Sequence, residues 1–242
     1  KKPKSYLKKF PINLLIQKVL YIISSFLMLF LPNAEVEVLE SETNLEILLK
    51  GWKLVARNPR LRLFVSANLL EIFSNTIWVS SIILVFVTEL LNKTESYWGY
   101  SNTAYSIGII ISGLIAFRLS EKFLAAKWES ILFPLVAMAI VTLTILYFPN
   151  AQMFLLFSAL VGMLSQLKEV PESVFLQETV EENHLVNVYS VLEVISTLAF
   201  SVFVLLMSYI TESFGISISF WLSAICLMIE AILIYIRRDY FK

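Results

Sequence analysis

The sequence predicts an all-α fold: a polytopic transmembrane helical bundle of about seven spans. Three observations predict it. Hydrophobic residues make up 58% of the 242 residues and charged residues only 16%, where soluble domains hold roughly half and a quarter; mean hydropathy is +0.76. The apolar residues gather into seven blocks, 10–31, 62–88, 97–117, 130–148, 153–176, 187–210 and 216–236. Each is near the ~20 residues a helix needs to cross a bilayer. Glycines (6) and prolines (7) are few, and no block keeps the alternation of an outer-membrane barrel.

The first block, 10–31, is the weakest, because it carries Gln17 and Lys18. With the flanking lysines it forms the N-terminal segment 1–31. A linker follows, 32–61, whose residues 33–46 hold five glutamates and no basic residue. It then turns basic in "NLEILLKGWKLVARNPRLR". Leu45, Leu48, Leu49, Trp52, Val55 and Ala56 recur at helical spacing, with Lys50, Lys53 and Arg57 on another face. Such a helix either rests on the membrane surface or packs on protein. Pro59 suits the first position of the next helix.

The remaining blocks form a six-helix unit, 62–242. In 62–88 a polar stripe runs through Asn68, Glu71, Asn75 and Trp78 at i, i+3, i+7 and i+10. The 97–117 block carries Gly99, Gly108 and Gly113, read as close helix contacts. The block 130–148 is nearly free of polar residues. Block 153–176 does not end where charge begins, but runs on through "SQLKEVPESV". On a helix, Ser165, Gln166, Lys168, Glu169, Glu172 and Ser173 share one side, and Lys168 and Glu172 are spaced to pair. A charge deep in a bilayer costs about 2.5–3.5 kcal/mol and normally faces a bundle interior or a wet cavity. Lys168 lies roughly 22 Å along this block, so a structural ion pair near the membrane edge is the other reading. Pro171 predicts a kink. Ser190, Glu193, Thr197 and Ser201 make a stripe in 187–210, as do Ser219, Ser223 and Glu230 in 216–236.

Loop charges set the orientation. Lys50, Lys53, Arg57, Arg60, Arg62, Arg118, Lys122, Lys127, Arg237, Arg238 and Lys242 fall on one side, eleven against six opposite. The positive-inside rule puts that side, with the C-terminus, in the cytoplasm. Net charge is zero, so no nucleic-acid partner is indicated. The one cysteine excludes an internal disulfide, and the one histidine, His184, has no metal-ligand set around it. There is no phosphate-binding GxxxxGK[ST] motif and no nucleophile–base set. The chain is expected to be no enzyme and to need no cofactor.

Several segments resemble the C-terminal half of a major facilitator superfamily transporter, closest to its macrolide- and siderophore-efflux branch. "LLIQKVLYIISSFLMLFLP" resembles that family's sixth span and "LLKGWKLVARNPRLRLF" its central linker. "WGYSNTAYSIGIIISGLIAFRLSEKF" resembles the eighth span, and "LQETVEENHLVNVYSV" the loop before the eleventh. The short cytoplasmic gating loop would hold Arg118, Glu121, Lys122 and Lys127; Glu121 matches the family's acidic position, but Leu124 replaces the usual glycine and basic residues are sparse where the family has several arginines. In the later loop Val186 and Asn187 replace a Gly-Arg pair, and Glu181 a proline. The resemblance implies a fold of two six-helix halves, each an inverted 3+3 repeat, with substrate bound between the halves near the midplane. This chain would supply span six and the second half. The missing N-terminal half would be its partner, in a bacterial cytoplasmic membrane.

The expected function is secondary transport: proton-coupled efflux of a small amphipathic compound. A seven-helix receptor, or a half-transporter that moves nothing alone, are the alternatives. Candidates for contacting substrate or protons are Asn68, Glu71, Asn75, Ser165, Lys168, Glu169, Glu172 and Glu193. Glu71 is the acid expected to couple. It lies nearest the middle of its span, where Asn68 and Asn75 can hydrogen-bond its carboxyl.

Overall fold

A computed structural model describes residues 43–125 and 127–241, with Ile22, Ser25 and Phe26. The first predicted span and the acidic stretch 33–42 otherwise lie outside the described residues. Every element among the described residues is helical.

Helix α1 (Asn44–Arg57) starts at a capping box: the Glu46 carboxylate accepts from the Thr43 amide, and Thr43 Oγ1 accepts from the Glu46 amide. Its two expected roles divide between its faces. Leu48, Gly51 and Val55 face the bundle, while Leu45, Leu49 and Trp52 are exposed. Asn58 ends α1 and caps α2 (Pro59–Asn75), its side chain accepting from the Arg60 amide at 2.9 Å. Pro59 opens α2, as its position predicts.

The 62–88 block does not form one straight helix. A 3-10 turn (Thr76–Trp78) and an extended Val79 interrupt it before α3 (Ser80–Val85) and a π-helical turn (Phe86–Leu90). The two parts meet at a bend of 41°. No proline or glycine causes this; "SNT" at 74–76 does. Thr76 Oγ1 donates to the Phe73 carbonyl at 2.6 Å and Ser223 Oγ donates to the Ser74 carbonyl at 3.0 Å. Side-chain donors thus take carbonyls that would otherwise carry the helix onward.

The other spans are unbroken: α4 (Ser96–Ala125), α5 (Lys127–Tyr147), α6 (Ala151–Thr179), α7 (Leu185–Phe214) and α8 (Ile216–Ile236). α6 continues through Pro171 as one helix. Gly215, the single residue between α7 and α8, has φ 87°, a conformation open to glycine but strained for other residues. Among the described residues five helices are long and apolar enough to cross a membrane, six counting the bent pair.

The helices pair in a definite pattern. α4 packs along α6, and α7 along α2; α5 packs on α6, and α2 on α8; α5 also packs on α8. Exchanging the first three spans (α2/α3, α4, α5) for the last three (α6, α7, α8) leaves these pairs unchanged. Spans one and four of the six run in opposite directions, so the repeat is inverted.

Small residues set the closest approach. A Cβ added to Gly108 on α4 would stand 2.8 Å from Ala159 C and 2.9 Å from Met163 N; one added to Gly162 on α6 would stand 2.9 Å from Tyr105 C. Gly99 and Gly113 face open space. The expectation of three close contacts on α4 is therefore corrected to one, and Gly162 supplies the reciprocal one. Only Gly108 faces α6, because residues five or nine positions away in a helix point elsewhere.

Candidate functional site

Three helices bring charge into the bundle. Lys168 on α6 has a side chain only 2% exposed, and its Nζ donates to Glu71 Oε2 on α2 at 2.7 Å and to Glu172 Oε1 at 2.6 Å. Glu172 is one turn along α6, so its pairing is local; Glu71 is brought by the fold. By helical rise, Glu71 lies roughly 18 Å from Pro59, and Lys168 roughly 16 Å from Thr179. Both thus lie several turns inside their helices. Among the described residues no other lysine or arginine is buried.

Glu230 on α8 joins this group. It is fully buried, and neither carboxylate oxygen has a hydrogen-bond partner. Carboxylate oxygens of Glu71, Glu172 and Glu230 lie within 4.8 Å of one another. Three such acids could ligate a metal ion, but Lys168 already bonds two of them, so its ammonium occupies the cationic position. Sequence reasoning does not nominate Glu230. Its only signal is the stripe with Ser219 and Ser223, and both serines serve packing: Ser223 Oγ meets Ser74 Oγ at 2.7 Å and Ser219 Oγ meets Thr211 Oγ1 at 2.7 Å.

Of the other predicted residues, Asn75, Ser165 and Glu193 line two cavities. One, of about 260 Å³, is lined by Asn75, Trp78, Asn102, Tyr105, Ser158 and Ser165, among others. Tyr105 Oη and Ser165 Oγ meet across it at 3.2 Å. The second, of about 350 Å³, is lined by Ile72, Asn75, Glu193, Ser196, Thr197 and Phe200. Asn75 borders both. Asn68 accepts from Ser196 Oγ at 3.2 Å. Neither Asn68 nor Asn75 hydrogen-bonds Glu71; α7 meets Asn68, and Asn75 is exposed where α2 ends. Glu169 is exposed and stands outside the charged group.

Glu193, Thr197 and Ser201 are also exposed, in the midst of an apolar span. Polar groups at that depth are tolerated against protein or a water-filled cavity and costly against lipid chains. Aromatic stacks lie on either side of the charged layer along the helices. Trp78, Phe154, Phe86 and Phe220 form one, with neighbouring centroids 4.9–6.3 Å apart; Phe64, Phe175 and Phe241 form the other, at 6.0 and 4.5 Å.

In the expected gating loop, Arg118 is exposed and Lys127 forms an ion pair with Glu178, joining the start of α5 to the end of α6. The side chains of Glu121 and Lys122 lie outside the described residues.

The inverted pairing and the polar wall accord with the family profile matched by residues 64–242, that of the Major Facilitator Superfamily. The chain belongs to the Major Facilitator Superfamily. Its helices are those of an integral membrane protein. Among similar proteins, the Uncharacterized MFS-type transporter YfmI of Bacillus subtilis is 27% identical over 185 residues, 76% of this chain and 46% of that protein. The Uncharacterized MFS-type transporter YjbB of the same organism is 28% identical over 187 residues, again 46% of its length. The chain thus spans about half the length of the curated superfamily relatives it matches. No solved structure matches it.

Proposed function

We propose that this chain is the C-terminal part of a proton-coupled secondary transporter that exports a small amphipathic compound across a bacterial cytoplasmic membrane. The observation that carries the reading is the buried Lys168, which pairs with Glu71 of α2 and with Glu172 of its own helix α6 inside the bundle. Intramembrane ionisable groups are costly and mark ion or proton paths. This one ties together the two helices that also supply Asn75, Trp78 and Ser165 to the first cavity.

The polar faces of α2 and α7 support a second half opposite them. With α4 and α6 they form one wall of a cavity, and a wall needs the N-terminal half to close it and to alternate access. The relatives, about twice the matched length, accord with this. Export follows the resemblance of the linker and the eighth span to efflux proteins. The excess of loop lysines and arginines places the C-terminus in the cytoplasm.

The substrate class follows from the lining. Trp78, Tyr105 and Phe200 offer flat apolar surface, and Glu193 is the only acidic residue lining either cavity. No described residue forms an ion pair with it. The site suits an amphipath that carries a positive charge. Full-length protein in liposomes should move ethidium against its gradient when a pH difference is imposed. Ethidium movement that ignores the pH difference would refute proton coupling; none under any gradient would refute the substrate class.

A further inference from the structure

We propose that Glu230 is the residue that holds the transported proton, while Glu71 and Glu172 keep Lys168 beside it. This rests on the proton-coupled reading above. It shifts the carrier away from Glu71, the acid that span position favours.

The geometry separates the three acids. Glu71 and Glu172 each accept a short bond from Lys168. Glu230 accepts none and donates none, although it is the most buried of the three. Fully ionised, the group would hold one positive charge and three negative ones. A buried charge needs a partner and hydrogen bonds, and Glu230 is the acid that has neither. As the neutral acid, its O–H can reach an oxygen of Glu71 or Glu172, which lie within 4.8 Å, by side-chain rotation.

The charged groups facing Glu230 are few. From α2 comes Glu71; from α6 come Lys168 and Glu172, with Glu169 turned outward. α5 carries no charged residue between Ile131 and Tyr147. α7 contributes Glu193, which lines the second cavity. On α8 itself the half-buried Cys226 thiol precedes Glu230 by one turn. Among the described residues Lys168 is thus the one cation able to answer a charge on Glu230.

That gives proton release a mechanical consequence. An ammonium has three N–H donors, and Lys168 directs two of them to Glu71 and Glu172. When the Glu230 O–H bond breaks, its proton leaves to water on the open side and a carboxylate remains. The third N–H of Lys168 turns to that carboxylate, so one ammonium is shared among three carboxylates and its bond across to Glu71 weakens and lengthens. α2 is then released from α6, and with it Asn75 and Trp78 of the cavity wall. Protonation reverses each step. The proton thereby biases one helix contact that has two arrangements, as coupling requires.

Infrared spectroscopy of the full-length protein reads this directly, through the carbonyl band of a protonated, buried carboxyl group. The wild type should show the band, Glu230→Gln should lose it, and Glu71→Gln and Glu172→Gln should each keep it. A band that persists in Glu230→Gln, or disappears in Glu71→Gln, overturns the assignment. If Glu230→Gln does not fold, the other two variants still decide: retention in both leaves Glu230 as the protonated acid of the group, and loss in either rejects it. Ethidium flux provides the second arm. Under a pH difference, flux in Glu230→Gln should fall to that of protein-free vesicles, and unchanged flux overturns the proposal. A wild type that shows the band but no pH-driven flux would leave Glu230 protonated and reject proton coupling itself.

Discussion

The seam between α4 and α6 gives a prediction whose size follows from the coordinates. Replacing Gly108 with alanine puts a methyl group 2.8 Å from Ala159 C. Ordinary contact begins near 3.4 Å and the Ala159 carbonyl oxygen lies closer still than its carbon, so the helices must part by well over the roughly 0.6 Å that the carbon alone would require. The obstacle is backbone on a regular helix, which cannot turn aside as a side chain can. Overpacking of this kind costs about 1–3 kcal/mol. Gly162→Ala meets Tyr105 C at 2.9 Å and should cost a similar amount. The two glycines lie within one stretch of the same seam, since Gly108 meets Ala159 and Met163 on either side of Gly162. Once one methyl has parted the helices, the second fits at little further cost. The double variant should therefore lie nearer to either single variant than to their sum, a coupling expected of residues that share one contact. Gly99→Ala and Gly113→Ala, on the same helix with open space around them, should be neutral or slightly stabilising through helix propensity. Thermal unfolding in detergent, followed by tryptophan fluorescence, measures all five variants. Full additivity, or a loss at Gly99 equal to that at Gly108, would refute the reasoning. Tyr105 and Ser165 meet across this seam and line the first cavity, so the destabilised variants should also bind substrate less tightly.

Lys168→Met should destabilise the bundle by about 3–5 kcal/mol, the usual cost of removing one partner from a buried ion pair, and adding Glu172→Gln should recover part of the loss in the same unfolding assay. Glu193→Gln should weaken ethidium binding severalfold, since one exposed charge pair contributes up to about 1 kcal/mol, while leaving a neutral amphipath such as chloramphenicol unaffected; equal effects on both would show that Glu193 does not read charge. Hydrogen bonds from Thr43 hold Glu46 below its usual value of 4.5, so the cap's stabilisation of α1 is complete above that value and is lost as pH falls through the lowered one. A spin label at position 45 should become more mobile over that range; Thr43→Ala, which keeps the backbone amide bond and loses the hydroxyl, should reduce the pH dependence, and Glu46→Gln should remove it.

Much of the bundle is legible in the chain because crossing a bilayer is a property of one segment at a time. Block length and hydropathy locate α5 to α8 and the start of α4 to within a few residues, while α4 runs on to Ala125, well past the end of its apolar block at 117. The Asn58–Pro59 pair marks the joint between α1 and α2, where one residue both ends and begins a helix. The pairing of Lys168 with Glu172 is legible for the same reason, since both lie on one helix one turn apart. Other features depend on neighbours. The bend at Val79 is invisible to hydropathy, because it arises from the Ser74 and Thr76 bonds, one of them reaching to α8.

The sequence by itself determined that the chain is a membrane helical bundle, that α1 is amphipathic, and that charge enters α2 and α6. These follow from solvation and from the 3.6-residue period, which each segment carries alone. Only the tertiary structure decided that Glu71 meets Lys168, that Glu230 joins them without a hydrogen bond, that Asn68 faces Ser196, and that of the three α4 glycines Gly108 alone touches α6. A helical face known from one segment has no partner until other helices are packed around it, and the partner determines whether a buried polar group is held by a neighbour or left open to a proton.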